Sequence, residues 1–141
     1  MRPLYETPTH LAAEDRIRAA VERAWNCQAV KLRVEGLDGS LDFQLIKPAR
    51  GPAFAELKHR NNSLDHYPTF MISMKKVRAA ERHKREFDAP SFMVIEFIDQ
   101  IYWAPFHAPY SIADGGRWDR NDPYDVESCA FFAIEHFRLL L

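Results

Sequence analysis

Residues 91–99, SFMVIEFID, form a nearly continuous apolar run rich in β-branched and aromatic side chains. A half-solvated strand alternates apolar with polar residues, so an almost unbroken run marks a strand covered on both faces. Such a strand lies inside a sheet, with other elements packed above and below it. The flanking segments can supply those layers. HLAAEDRIRAAVERAW (10–25) puts Ile17, Val21, Ala24 and Trp25 on one stripe, which predicts an amphipathic helix opened by Thr7 and Pro8 or by Thr9. QAVKLRV (28–34) alternates as a strand and leads into the turn GLDG. SLDFQLI and PAFAELKH read as the arms of a hairpin closed by KPARGP, where Pro and Gly provide the turn chemistry. After the loop NNSLDHYP, the spacing in FMISMKKVRAAERHKREF predicts a second helix with a solvated basic face. QIYWAPF is expected to hairpin onto the central strand. SCAFFAIEHFRLL, beyond the turn-rich GGRWDRNDPYDVE, is expected to run as a strand to about Ala133 and then turn. This order predicts one α/β domain over residues 1–141, with a central mixed β-sheet flanked by helices.

Composition narrows the class. Ten Phe, five Tyr and three Trp in a chain that is 47% hydrophobic argue for an ordered fold rather than a disordered tail. Cys27 and Cys129 lie too far apart for a metal knuckle and form no disulfide framework, so both are expected as reduced core thiols. His59, His66 and His83 show no zinc-ligand spacing and are expected mostly at the surface. No apolar run approaches the roughly 18 residues of a membrane span, and MRPLYETPTH has no signal-peptide apolar region. The expectation is a soluble cytoplasmic protein with no membrane partner.

Net charge is only −1, yet the charges are segregated. Lys75, Lys76, Arg78, Arg82, Lys84 and Arg85 crowd one short stretch. Asp114, Asp119, Asp122, Asp125 and Glu127 face only Arg117 and Arg120 near the other end. Such a two-sided molecule is suited to polyanions on one side, and the acidic tail is a candidate dimer surface or shield for a site.

The chemistry-bearing residues sit on the hairpin. Period-2 geometry puts Glu56 and Lys58 on one face about 7 Å apart, with Asp42 of the other arm in reach of it. Carboxylates packed together raise each other's pKa, so the cluster is costly unless a divalent metal and an anionic substrate complete it. Metal-dependent phosphodiester hydrolysis is the chemistry this suggests, and incidental surface charge is the bland alternative. Glu14 falls inside the apolar stripe of the first helix, three residues before Ile17, and therefore needs a partner; Glu22 is the fallback acid on that helix. Glu96, which interrupts the central strand, either joins the site or meets a basic partner, and is kept out of the site. Tyr102, Trp103 and Phe106 are expected to pack rather than to stack on bases.

A helix glutamate (Glu14), a strand aspartate (Asp42) and Glu56-Leu57-Lys58 on the next strand together resemble the PD-(D/E)XK nuclease superfamily, most closely its small Holliday-junction-resolvase-type and phage-encoded members. The likeness runs from about His10 to Phe106, with Leu41 where the name-giving proline would stand. It implies a restriction-endonuclease-like core in which Asp42, Glu56 and the Leu57 carbonyl hold Mg²⁺ or Mn²⁺. Glu14 would bind a second ion or a water, and Lys58 would orient the attacking water or stabilise charge on the phosphate. Lys75, Lys76, Arg78 and Arg82 would meet the DNA backbone. The implied activity is Mg²⁺-dependent endonucleolytic hydrolysis of DNA in recombination, repair or phage DNA processing. A resolvase activity would require a homodimer. The alternative is a non-catalytic DNA-binding or assembly module that retains the fold.

Overall fold

A computed structural model describes residues 8–32, 41–116 and 126–141 of the chain. The expected turn GLDG and the acidic residues Asp119, Asp122 and Asp125 lie outside them. Helix α1 (Pro8–Trp25) begins on a proline, whose fixed φ and missing N–H suit a first helical turn. It buries Ala13, Ile17 and Val21 at intervals of four residues. Strands β1 (Gln28–Lys31), β2 (Phe43–Ile46) and β3 (Ala53–His59) follow, with β2 and β3 forming the expected antiparallel hairpin in which Phe43 pairs with Ala55. After β4 (Thr69–Ser73) and α2 (Met74–Phe87), strand β5 (Ser91–Glu96) returns parallel to β3, setting Glu56 beside Met93. The remaining strands are β6 (Ile101–Pro105), β7 (Tyr110–Gly116), β8 (Val126–Ala133) and β9 (Arg138–Leu139).

Two sheets result among the described residues. The larger is mixed, in the order β1-β2-β3-β5-β6-β9, and the smaller is antiparallel, in the order β4-β8-β7. As its apolar run predicts, β5 is internal to the larger sheet, with Met93, Val94 and Ile95 fully buried. Its side chains alternate between two cores. Val94 joins Ile17, Val21, Phe43, Ala55 and Leu57 beneath α1. Met93 and Ile95 join Phe54, Val77, Ala80 and Phe132 beneath α2 and the second sheet. The same alternation along β3 turns Phe54 toward α2 and Ala55 toward α1. Glu56, in phase with Phe54, therefore faces the α2 side.

One expectation about local structure is corrected. The predicted second helix starts too early, because residues 70–73 are strand: Phe70 pairs with Phe132 and Ile72 with Ala130. Helical and period-2 spacings overlap in so short a stretch, and pairing with a distant strand decides between them. Ser73 then caps α2, its hydroxyl accepting the Lys75 N–H at 3.2 Å. Ser73→Ala is expected to cost about 1 kcal/mol in urea unfolding; an unchanged midpoint would mean the cap contributes nothing. Of the three histidines expected mostly at the surface, His83 is buried. Its ring stacks on Phe54 with centroids 3.7 Å apart, and burial, then the nearby Arg82 charge, lower its pKa. Strands β7 and β9 were not anticipated, and β9 has just two residues, held by pairing with Tyr102 and Trp103 of β6. The tail otherwise follows expectation, a strand to Ala133 and then a short 3₁₀ turn at Ile134–His136. Cys27 and Cys129 are both free thiols, the second buried and the first half-buried.

Candidate active site

The hairpin, the first turns of α1 and the last residues of β3 enclose a cleft of about 270 Å³ lined by Glu14, Asp42, Leu57, Lys58, His59 and Arg60. Three of the four residues singled out as reactive thus share one concavity. Glu56, the fourth, lies behind Asp42 with no exposed surface at all. Its Oε2 accepts the Asp42 backbone N–H at 3.3 Å and stands 3.3 Å from the Lys76 Nζ. Its Oε1 is 3.6 Å from the Lys58 Nζ and has no hydrogen-bond partner. A buried carboxylate oxygen left in that state is costly to the fold.

The electrostatics follow from this packing. Burial pushes Glu56 up to about 7; Lys58 and Lys76 pull it down and Asp42 pushes it further up. Burial also raises Asp42, but hydrogen bonding with Glu56 and the charges of Lys76 and Lys58 outweigh it and hold that carboxyl below its ordinary value. Lys76 feels the reverse. Burial lowers its pKa, and the two carboxylates raise it by more. The two acids are thereby driven apart, one ionised and one near neutral-pH titration, as in sites built for acid–base or metal chemistry.

Lys76 was expected on the solvated basic face of its helix with Lys75, Arg78 and Arg82. Lys75 and Arg78 are exposed and Arg82 half-buried, whereas Lys76 turns inward and bridges Asp42 and Glu56 at 3.3 Å from each. A signal for this was present in the spacing. Lys76, Ala80 and His83 fall on one helical stripe, and the latter two are buried.

Glu14 has the partner its inward position demands: its carboxylate is 2.8 Å from the Lys31 Nζ. Glu22, the fallback, instead accepts the Ala29 backbone N–H at 2.9 Å. Among the described residues, no three His, Cys, Asp or Glu side chains come close enough together to hold a metal by themselves. Glu96 has basic partners, as one of its two readings required. Arg16 donates to both its oxygens, at 2.9 and 3.1 Å, and His59 Nδ1 lies 2.8 Å from Oε1. The Arg16 hydrogen bonds, opposed by burial and aided by His59, lower its pKa. This strap ties α1 to β5 and to the end of β3, where the cleft opens. Trp103 packs edge-on against Trp25 and Phe92, and Phe106 is buried against Phe132, so both rings serve the core.

The described helices include none long and apolar enough to cross a membrane. No curated protein sequence matches the chain. The solved structure of Hjc, a Holliday junction resolvase from the archaeal hyperthermophile Archaeoglobus fulgidus, is similar at a TM-score of 0.54 and 15% identity, covering 68% of this chain and 76% of that one. At that identity the likeness is one of fold, and it accords with the restriction-endonuclease-like core. A model of the phage PDDEXK endonuclease family matches residues 1–140, almost the full length. With its glutamate-leucine-lysine strand facing an aspartate across a hairpin, this chain belongs to that family of nucleases.

Proposed function

We propose that the protein is a divalent-metal-dependent endonuclease that hydrolyses DNA phosphodiester bonds, in recombination, repair or phage DNA processing. The observation that carries this reading is Glu56, wholly buried against Asp42 with one oxygen lacking a hydrogen-bond partner and an ammonium standing between the two acids. A soluble fold bears such an arrangement when it gains something from it. The donor set suits a hard cation, since oxygen ligands with carboxylate charge are what Mg²⁺ and Mn²⁺ take. Asp42, Glu56 and the Leu57 carbonyl would hold the ion, with Glu14 positioning water at the rim. When bound, the ion supplies a Lewis acid for the phosphate and lowers the pKa of water.

The chain's own groups do the rest. Lys58 lines the cleft and can donate to a phosphate oxygen on which charge develops, the kind of contact that is stronger in the transition state than in the ground state. Glu14, held in place by Lys31 at 2.8 Å, can accept a hydrogen bond from the attacking water. Arg60 also lines the cleft, while its guanidinium lies 5.1 Å over the Phe70 ring. The outer face of α2, with Lys75, Arg78 and Arg82, supplies sequence-independent attraction for the backbone of a long polyanion. Action on a four-way junction would require two such sites in a homodimer.

A panel of labelled duplex, flap, single-stranded and junction DNAs tests the proposal. Wild type should cut at least one in Mg²⁺ or Mn²⁺ and none in EDTA, and Asp42→Asn and Lys58→Ala should cut none. Cleavage that survives chelation overturns the metal-dependent reading. Metal-independent binding without any cleavage would make the chain an assembly module on a nuclease fold.

A further inference from the structure

The proposed metal-dependent reading leaves one residue without a task. Lys76 is drawn into the cluster from α2, while the lysine of the glutamate-leucine-lysine strand is Lys58. The two ammonium groups are placed differently. Lys58 lies on the cleft side, 3.6 Å from Glu56, and Lys76 stands equidistant from an oxygen of Asp42 and one of Glu56, at 3.3 Å from each. It therefore fills the position between Asp42 Oδ1 and Glu56 Oε2 that a cation bound by this pair of oxygens would need. A divalent ion ligated by oxygens sits about 2.1 Å from each of them. Two cations cannot both occupy that position without direct repulsion in a poorly solvated site.

We infer that Lys76 is a displaceable counter-cation: in the metal-free chain its ammonium holds Asp42 and Glu56 together, and a divalent ion must expel it to bind. This inference rests on the metal-dependent reading above. Three features make the exchange feasible. Lys76 carries its charge on a flexible four-carbon stem, unlike the planar guanidinium of an arginine. Its side chain keeps 25% of its surface exposed, so a path outward exists. Its helix is anchored independently of the ammonium, by Val77, Ala80 and His83 in the core and by the Ser73 cap. Once expelled, the ammonium emerges beside exposed Lys75, on the side from which a phosphate backbone would approach. The same residue thus stabilises the empty site and, after exchange, adds a positive charge at its mouth.

The consequence is a site whose metal affinity is set below what its carboxylates alone would give. Mn²⁺ titrated calorimetrically into full-length wild type, Lys76→Met, Lys76→Gln and Asp42→Asn tests it without any cleavage readout. Lys76→Met and Lys76→Gln are expected to bind Mn²⁺ about tenfold more tightly than wild type, and Asp42→Asn to lose binding. A second measurement uses wild type alone: acylation by an amine-reactive reagent, read by mass spectrometry, should rise several-fold at Lys76 when Mn²⁺ is added and stay constant at its neighbour Lys75. Asp42-dependent binding in wild type, with no tightening in the Lys76 variants and no change in labelling, would overturn the inference and leave the metal site standing. Absence of Asp42-dependent Mn²⁺ binding in wild type would overturn both.

Discussion

Glu56→Gln is expected to reduce metal-dependent cleavage by at least about a thousandfold and, in EDTA at pH 8, to make the protein harder to unfold. The two effects have one origin. A glutamine fills the same volume and still accepts from the Asp42 N–H and from Lys76, but it cannot contribute the anionic oxygen that a hard cation requires. The wild-type carboxyl titrates near 7 in the folded chain, chiefly because it is buried, against 4.5 in the ordinary state. Between those values the folded chain holds a proton that the unfolded chain has released, so folding is progressively weakened as pH rises through this window. Below about 4.5 both states are protonated and the cost vanishes. Above about 7 both are ionised and the fold bears all of it, about 3 kcal/mol for a shift of that size.

Asp42 and Glu96 act in the opposite sense, since their lowered values add stability above the ordinary carboxylate range. The diagnostic quantity is therefore the difference between Glu56→Gln and wild type, measured by urea unfolding at several pH values from 5 to 8 in EDTA. It should grow with pH in favour of the variant. Parallel profiles would assign the strain to some other group.

Phe132→Ala is expected to cost about 3–5 kcal/mol, a large part of the 5–15 kcal/mol typical of a whole domain. Phe132 has no exposed surface and lies in the middle strand of the smaller sheet, between Phe70 of β4 and Tyr110 of β7. Its ring meets Tyr110 at 5.3 Å and Phe106 edge-on at 6.4 Å, so truncation removes contacts within the smaller sheet and with the turn that follows β6. The second consequence reaches the site. Strand β4 runs directly into α2, and Lys76 is only three residues beyond Ser73, so loosening the smaller sheet frees the start of the helix that carries the bridging ammonium. Urea unfolding measures the first effect, and Mn²⁺ affinity at a temperature where the variant is still folded measures the second. A loss under about 1 kcal/mol would mean that the smaller sheet adds little to the cooperative core.

Much of the architecture was legible because it depends on patterns carried by contiguous residues. The stripe Ile17, Val21 with Ala13 specifies a helix face, and the apolar run at 91–96 specifies an internal strand. Glu56 and Lys58 belong on one side of β3 by period-2 geometry. The hairpin is local as well, since its turn residues and both arms lie within about twenty positions, so Asp42 opposite Glu56 needed no long-range information.

What stayed hidden was decided by partners far away in sequence. Residues 70–73 carry both helical and strand spacings, and β8, more than fifty residues later, selects the strand. Two residues at 138–139 have no pattern of their own and become strand only because β6 offers a free edge. Lys76 shares a helical stripe with buried Ala80 and His83, a hint that it turns inward, but the packing of α2 over β3 decides that it faces two acids. Burial of Glu56 is also tertiary: period-2 geometry aligns it with Phe54, but the depth that raises its pKa comes from the layers closing over the sheet. The sequence by itself determined which chemical groups share a strand face. Only the tertiary structure decided their depth and the counter-charge between them, because desolvation and Coulomb interactions depend on distances that no local period encodes.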